Sequence, residues 1–185
     1  MSPDPRRALP LLPRLERSAT RLDEAYLFLS AAVGADEQPV GAEEWLRDNH
    51  HVVQDQVRDV RQHLPRQYYL ELPKLADGPF AGYPRVYLLA RELIAHTAGR
   101  IDLDTIVDFT TAYQRTSPLT IGETWAVPIM LRLSLVEELH RLADGVVEAR
   151  RRRVLARGWR ERLTASEDWD DTTIAAIFED GRDTD

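Results

Sequence analysis

Apolar residues recur every three or four positions along most of the chain, and nowhere does strand-like alternation persist beyond a few residues. That periodicity excludes sandwich, barrel and parallel-sheet architectures. It predicts an all-α fold, an irregular bundle of about six or seven helices with one long loop. Leu15, Leu22, Tyr26, Leu29 and Val33 mark a first helix stopped by Gly34. A second spans Ala42 to His63, with Trp45, Val52, Val53, Val57, Val60 and Leu64 as its buried stripe and Pro65 as its end. Pro84 opens a helix that runs to Thr97 and is capped by Gly99. Asp102 or Asp104 caps the next, which turns Ile106, Phe109 and Tyr113 inward.

Thr120-Ile-Gly-Glu123 has the spacing of a capping box, in which hydroxyl and carboxylate satisfy opposite backbone donors. It opens a long helix through Trp125, Met130, Leu133, Val136, Leu139 and Leu142, with a kink expected at Pro128. A last helix follows Ser166 and carries Trp169, Ile174, Ile177 and Phe178. The expected organisation is a proline-rich leader and first helix over 1–40, a helical domain over 41–160, and a C-terminal helix with polar tail over 161–185.

Composition narrows the chemistry. At 185 residues and 43% hydrophobic content, the chain can fill one core. It has no cysteine, which removes disulfides, thiolate metal sites and a cysteine nucleophile together. With 31 acidic against 24 basic residues the net charge is −7, which argues against a general nucleic-acid binder. No apolar run reaches the roughly 18 residues that span a bilayer, and Met1 to Pro13 lacks the apolar core of a signal peptide. The expected location is cytoplasmic.

Most motifs are better explained by solvation and capping than by catalysis. Asp102-Leu-Asp104 and Asp168-Trp-Asp170 match the acidic pairs that hold metal–diphosphate in some glycosyltransferases, but both sit where helices begin and compensate the helix dipole. His50 and His51 diverge by about 100° on a helix, so one is read as half-buried and the other as solvated. His63, His96 and His140 stand isolated in sequence. Glu43-Glu44 and Glu137-Glu138 likewise diverge and read as solvated faces. No catalytic residue, metal ligand or cofactor is therefore assigned.

Two features remain as candidate surfaces. The run Arg150, Arg151, Arg152, Arg153, with Arg157 beyond it, suits an anionic lipid surface or a partner, or forms a solvated helix end. The loop-rich segment Pro65–Pro84 holds Tyr68, Tyr69, Lys74 and Tyr83, followed by Arg85. With Trp125, these offer flat apolar faces and polar heads for a sugar or a partner, or pin the loop to the core.

Longer motifs point to a family. Glu43-Glu-Trp-Leu-Arg-Asp-Asn-His50, Leu64-Pro-Arg-Gln-Tyr-Tyr-Leu-Glu-Leu-Pro73, Lys74-Leu-Ala-Asp-Gly-Pro79 and Gly82-Tyr-Pro-Arg-Val-Tyr87 occur in order. Ala95-His-Thr97, Tyr113-Gln-Arg115 and Pro118-Leu-Thr-Ile-Gly-Glu-Thr-Trp-Ala126 continue them. From Gly41 to Ala149 this resembles the N-terminal region of cyclic β-1,2-glucan synthases. The resemblance implies a link to large membrane enzymes that build β-1,2-glucan from UDP-glucose and carry their catalytic parts downstream of this region.

The expected role is thus a non-catalytic accessory domain, either a fragment of a synthase or a free-standing helper. It would sit at the inner face of the plasma membrane, with downstream domains or a separate synthase as its partner. The alternatives are a β-1,2-glucan-binding module and a free-standing helical interaction domain.

Overall fold

A computed structural model describes residues 10–31, 41–64 and 66–165. Among these, the chain is all-α: seven helices and no strand. They are α1 (Leu12–Ala31), α2 (Gly41–Asp48), α3 (His50–His63), α4 (Arg66–Glu71), α5 (Arg85–Thr97), α6 (Leu103–Gln114) and α7 (Ile121–Ala165). Among the described residues, those up to Val147 form one compact unit and those from Glu148 a second. The helix expected after Ser166 lies outside the described residues.

Helix α1 begins earlier than its periodicity suggests. Pro13 fits a first turn because its missing N–H would have no partner there, so the end of the proline-rich leader is helical. Leu11, 1% exposed, already belongs to the core with Leu15, Leu22 and Leu29.

The helix expected over Ala42–His63 is two. They part at Asn49, whose Nδ2 donates to the Trp45 carbonyl at 2.9 Å. The buried stripe is Leu46, Val53, Val57, Val60 and Leu64. Trp45 and Val52 stand one residue before two of these, about 100° around the helix, and both are exposed. The same one-residue ambiguity recurs in α7, where Ala143 is buried and Leu142 exposed.

The segment Pro65–Pro84, expected as loop, contains α4 in the proline-free stretch between Pro65 and Pro73. The remainder closes on itself. The Leu75 amide donates to the Tyr83 carbonyl at 3.0 Å, that of Gly82 to Leu75 at 2.9 Å, and that of Arg85 to Pro73 at 3.0 Å. Gly82, at φ +86°, takes the left-handed conformation that this tight return requires.

The later helices begin and end where local chemistry places them. Ala98 and Gly99 turn left-handed after α5, with the Gly99 amide donating to the Ile94 carbonyl at 3.0 Å. Asp102 caps α6 by accepting from the Thr105 amide at 2.7 Å. Ile106, Phe109 and Tyr113 are only half-buried, and α6 has no fully buried residue. Pro128 lies inside α7 and the helix continues past it.

Candidate functional site

The capping box at the start of α7 forms as spaced. The Glu123 amide donates to Thr120 Oγ1 at 3.2 Å, and the Thr120 amide donates to Glu123 Oε2 at 2.9 Å. The same carboxylate is gripped by Arg85, at the first position of α5, through Nε and, at 2.7 Å, through Nη2. Arg85 also donates to Ser117 Oγ at 2.6 Å and to the Pro118 carbonyl at 2.7 Å. Side-chain exposures of 6% and 0% make this a buried, doubly bonded ion pair.

Burial alone would push the Glu123 carboxyl up. The Arg85 guanidinium and the Thr120 amide and hydroxyl outweigh it and hold the carboxyl below the usual carboxylate range. Arg61 holds Glu16, and Arg141 holds Glu138, below that range in the same direction. A carboxyl with a depressed folded pKa stabilises fully above its unfolded value of about 4.3. That stability is lost as pH falls through the folded value. We therefore expect the thermal midpoint to fall steeply below about pH 4. In Glu123→Gln, a differential scanning calorimetry series over pH should show a shallower acid decline.

The central loop is locked to the same clamp. Tyr68 donates its hydroxyl to the Gly122 carbonyl. Lys74, 3% exposed, donates to the Leu70 carbonyl at 2.6 Å and to that of Leu72 at 3.3 Å, closing the C-terminal end of α4. Tyr69 is buried, and its hydroxyl has no partner among the described residues. Tyr83 packs on Phe80 and Tyr87 and carries the Arg14 guanidinium over its ring, 5.4 Å from the centroid. Of the expected surface residues, the structure thus brings Tyr68, Tyr69, Lys74, Tyr83 and Arg85 into the framework around the loop and the α7 start. Trp125 stands apart at 79% exposure. One turn before it on α7, Ile121 is 81% exposed, so the two form an apolar ledge.

In the second unit, Arg151, Arg152 and Arg153 are exposed, with Arg152 paired to Glu148 at 3.1 Å. Arg157 is half-buried, and Arg150 is 5% exposed and partnered.

The histidine pair behaves as read: His50 stacks on Tyr26 with centroids 4.0 Å apart and bonds Asp23 at 2.8 Å, while His51 is exposed. The glutamate pairs do not. Glu43 is 3% exposed and partnered. Glu137 is bound by Arg14 Nε at 2.7 Å and by the Tyr87 hydroxyl at 2.6 Å, with Arg91 3.8 Å away. Acids on helices read as solvated faces only until a cation from another helix reaches them. Here that cation lies 123 positions upstream, where no local spacing reveals it.

Two groups that the sequence does not reveal are each built around a partner far along the chain. Arg14 and Arg91 lie over the fully buried Tyr87 ring at 5.7 and 5.8 Å. Burial and the Glu137 bond push the Tyr87 hydroxyl up to about 12. His140, isolated in sequence, takes its Nδ1 to Ser18 Oγ at 3.2 Å and its Nε2 to Asp144 at 3.1 Å. No group of three or more metal-binding side chains occurs among the described residues, nor any helix long and apolar enough to cross a membrane.

No protein-family model matches the chain. It is, however, 38% identical over 125 residues to the cyclic β-(1,2)-glucan synthase NdvB of Rhizobium meliloti (strain 1021). The matched stretch is 68% of this chain but 4% of that protein. Over that stretch, the chain is a homologue of the N-terminal region of a cyclic β-(1,2)-glucan synthase.

Proposed function

We propose that the chain is a non-catalytic helical accessory domain that supports UDP-glucose-dependent synthesis of cyclic β-1,2-glucan. The observation that carries this reading is the 125-residue similarity to a glucan synthase. The buried Arg85–Glu123 clamp supports it, because it fixes how α5, the central loop and the start of α7 are presented as one surface. The partner is the rest of a synthase, in the same chain or a separate one.

The direct test is replacement. Exchanging the matching region of the Rhizobium meliloti synthase for this chain should preserve cyclic glucan output, measured by mass spectrometry of cell extracts. A chimera that accumulates in full but makes no glucan contradicts the reading.

A second reading is favoured by the Ile121–Trp125 ledge, whose exposed indole can stack on a sugar face. Under it, β-1,2-glucan oligosaccharides should shift Trp fluorescence, and Trp125→Ala should abolish the shift with little change in stability. A flat titration of the native chain eliminates glucan binding and leaves the accessory role standing.

A further inference from the structure

Three helices of the first unit turn one face each onto a cavity of about 270 Å³. On α1 the lining residues fall at 14, 17 and 18, on α5 at 91, 94 and 95, and on α7 at 134, 137, 138 and 141, the i, i+3, i+4 rhythm of single helical faces. Four cations line it, Arg14, Arg17, Arg91 and Arg141, against two carboxylates, Glu137 and Glu138. Four positive minus two negative charges leave the walls two positive.

The cations are not equally committed. Arg14 is tied to Glu137, and Arg141 grips Glu138 through two nitrogens. Arg17 is exposed and makes no side-chain hydrogen bond or ion pair among the described residues, so its five donors meet only solvent and are open to a ligand. A second unspent group lies deeper. Ser134 lines the cavity at 3% exposure, and its buried hydroxyl meets no partner among the described residues. A buried hydroxyl favours having a partner, and a polar ligand in the cavity would supply one. Ser18 and His140 add further polar atoms to the same wall.

We infer that this cavity binds a small, soluble phosphate monoester with a hydroxylated body, such as a sugar phosphate. The charge selects the class: a phosphate monoester carries close to two negative charges at neutral pH, which matches the two positive charges of the walls and exceeds a single carboxylate. The volume lies just below the range of about 300–1,000 Å³ that holds drug-sized ligands, so only a compact ligand fits. The carboxylates of Glu137 and Glu138 can accept from ligand hydroxyls. The inference does not depend on the accessory reading, since it rests on this chain's own cavity.

Calorimetric titration of the full chain tests it, with glucose 6-phosphate, inorganic phosphate and uncharged glucose as probes. Glucose 6-phosphate should bind with a Kd of about 1 mM or tighter, and glucose not at all. Arg17→Ala should weaken binding at least about tenfold with an unchanged circular dichroism spectrum. Arg100→Ala, on an exposed arginine outside the cavity, should bind as the native chain. Ser134→Ala should fold with an unchanged or higher Tm and bind about threefold or more weakly. A flat titration, equal losses in Arg17→Ala and Arg100→Ala, or binding confined to vesicles containing phosphatidate would each overturn the inference.

Discussion

Glu123→Ala should lower the stability of the fold by about 3–5 kcal/mol, a fall in Tm of roughly 10 °C, measured by urea or thermal unfolding. The size follows from what stays behind. Arg85 keeps Ser117 and the Pro118 carbonyl but loses both carboxylate bonds, at a site where its side chain is 6% exposed. A guanidinium without its counter-charge there must either stay buried unpaired or drag the start of α5 toward solvent. The Thr120 amide loses its acceptor as well.

Two companion variants separate these effects. Thr120→Ala removes the cap hydroxyl but not the ion pair, so about 1 kcal/mol is expected. The double change Arg85→Met with Glu123→Leu replaces both charges by apolar groups and should cost less than either single truncation. A Glu123→Ala loss no larger than that of Thr120→Ala would mean that the pair is solvated and does not hold the elements together.

Tyr87→Ala should cost about 3–5 kcal/mol. Its ring is fully buried, packs against Tyr83, and has the guanidinium groups of both Arg14 and Arg91 within 5.8 Å of its centroid. Truncation therefore opens a cavity and removes two cation–π contacts at once. Tyr87→Phe keeps the ring and deletes only the hydroxyl that bonds Glu137, for which about 1–2 kcal/mol is expected. The gap between the two variants measures the packing. Equal losses would place the whole effect in the hydrogen bond.

The helices were legible in the sequence because each is written in nearby residues. The Thr120–Glu123 box, the Asp102 cap and the glycine stop after Thr97 sit within five positions of what they satisfy. The buried faces were less so. Trp45 and Val52 are as apolar as Leu46 and Val53, and only the packing of α2 and α3 against α1 decides which of each pair faces inward.

The polar framework was legible only in part. Tyr68, Lys74 and Arg85 stood out as residues that either meet a sugar or a partner or pin the loop to the core, and their polar atoms meet backbone carbonyls and Glu123. Glu137 and His140 read as a solvated acid and an isolated histidine, and Arg14 and Ser18 did not stand out, since partners more than a hundred positions apart carry no shared local pattern. The cavity they line was invisible for the same reason.

The measurement that bears most directly on the accessory role is cyclic β-1,2-glucan output in the host. With the coding sequence deleted, mass spectrometry of cell extracts should show the cyclic glucan lost or strongly reduced. Return of the native chain should restore it, and return of Glu123→Ala, with its clamp broken, should restore much less at growth temperature. Unchanged cyclic glucan in the deletion strain, in amount and ring size, would contradict a role in its synthesis.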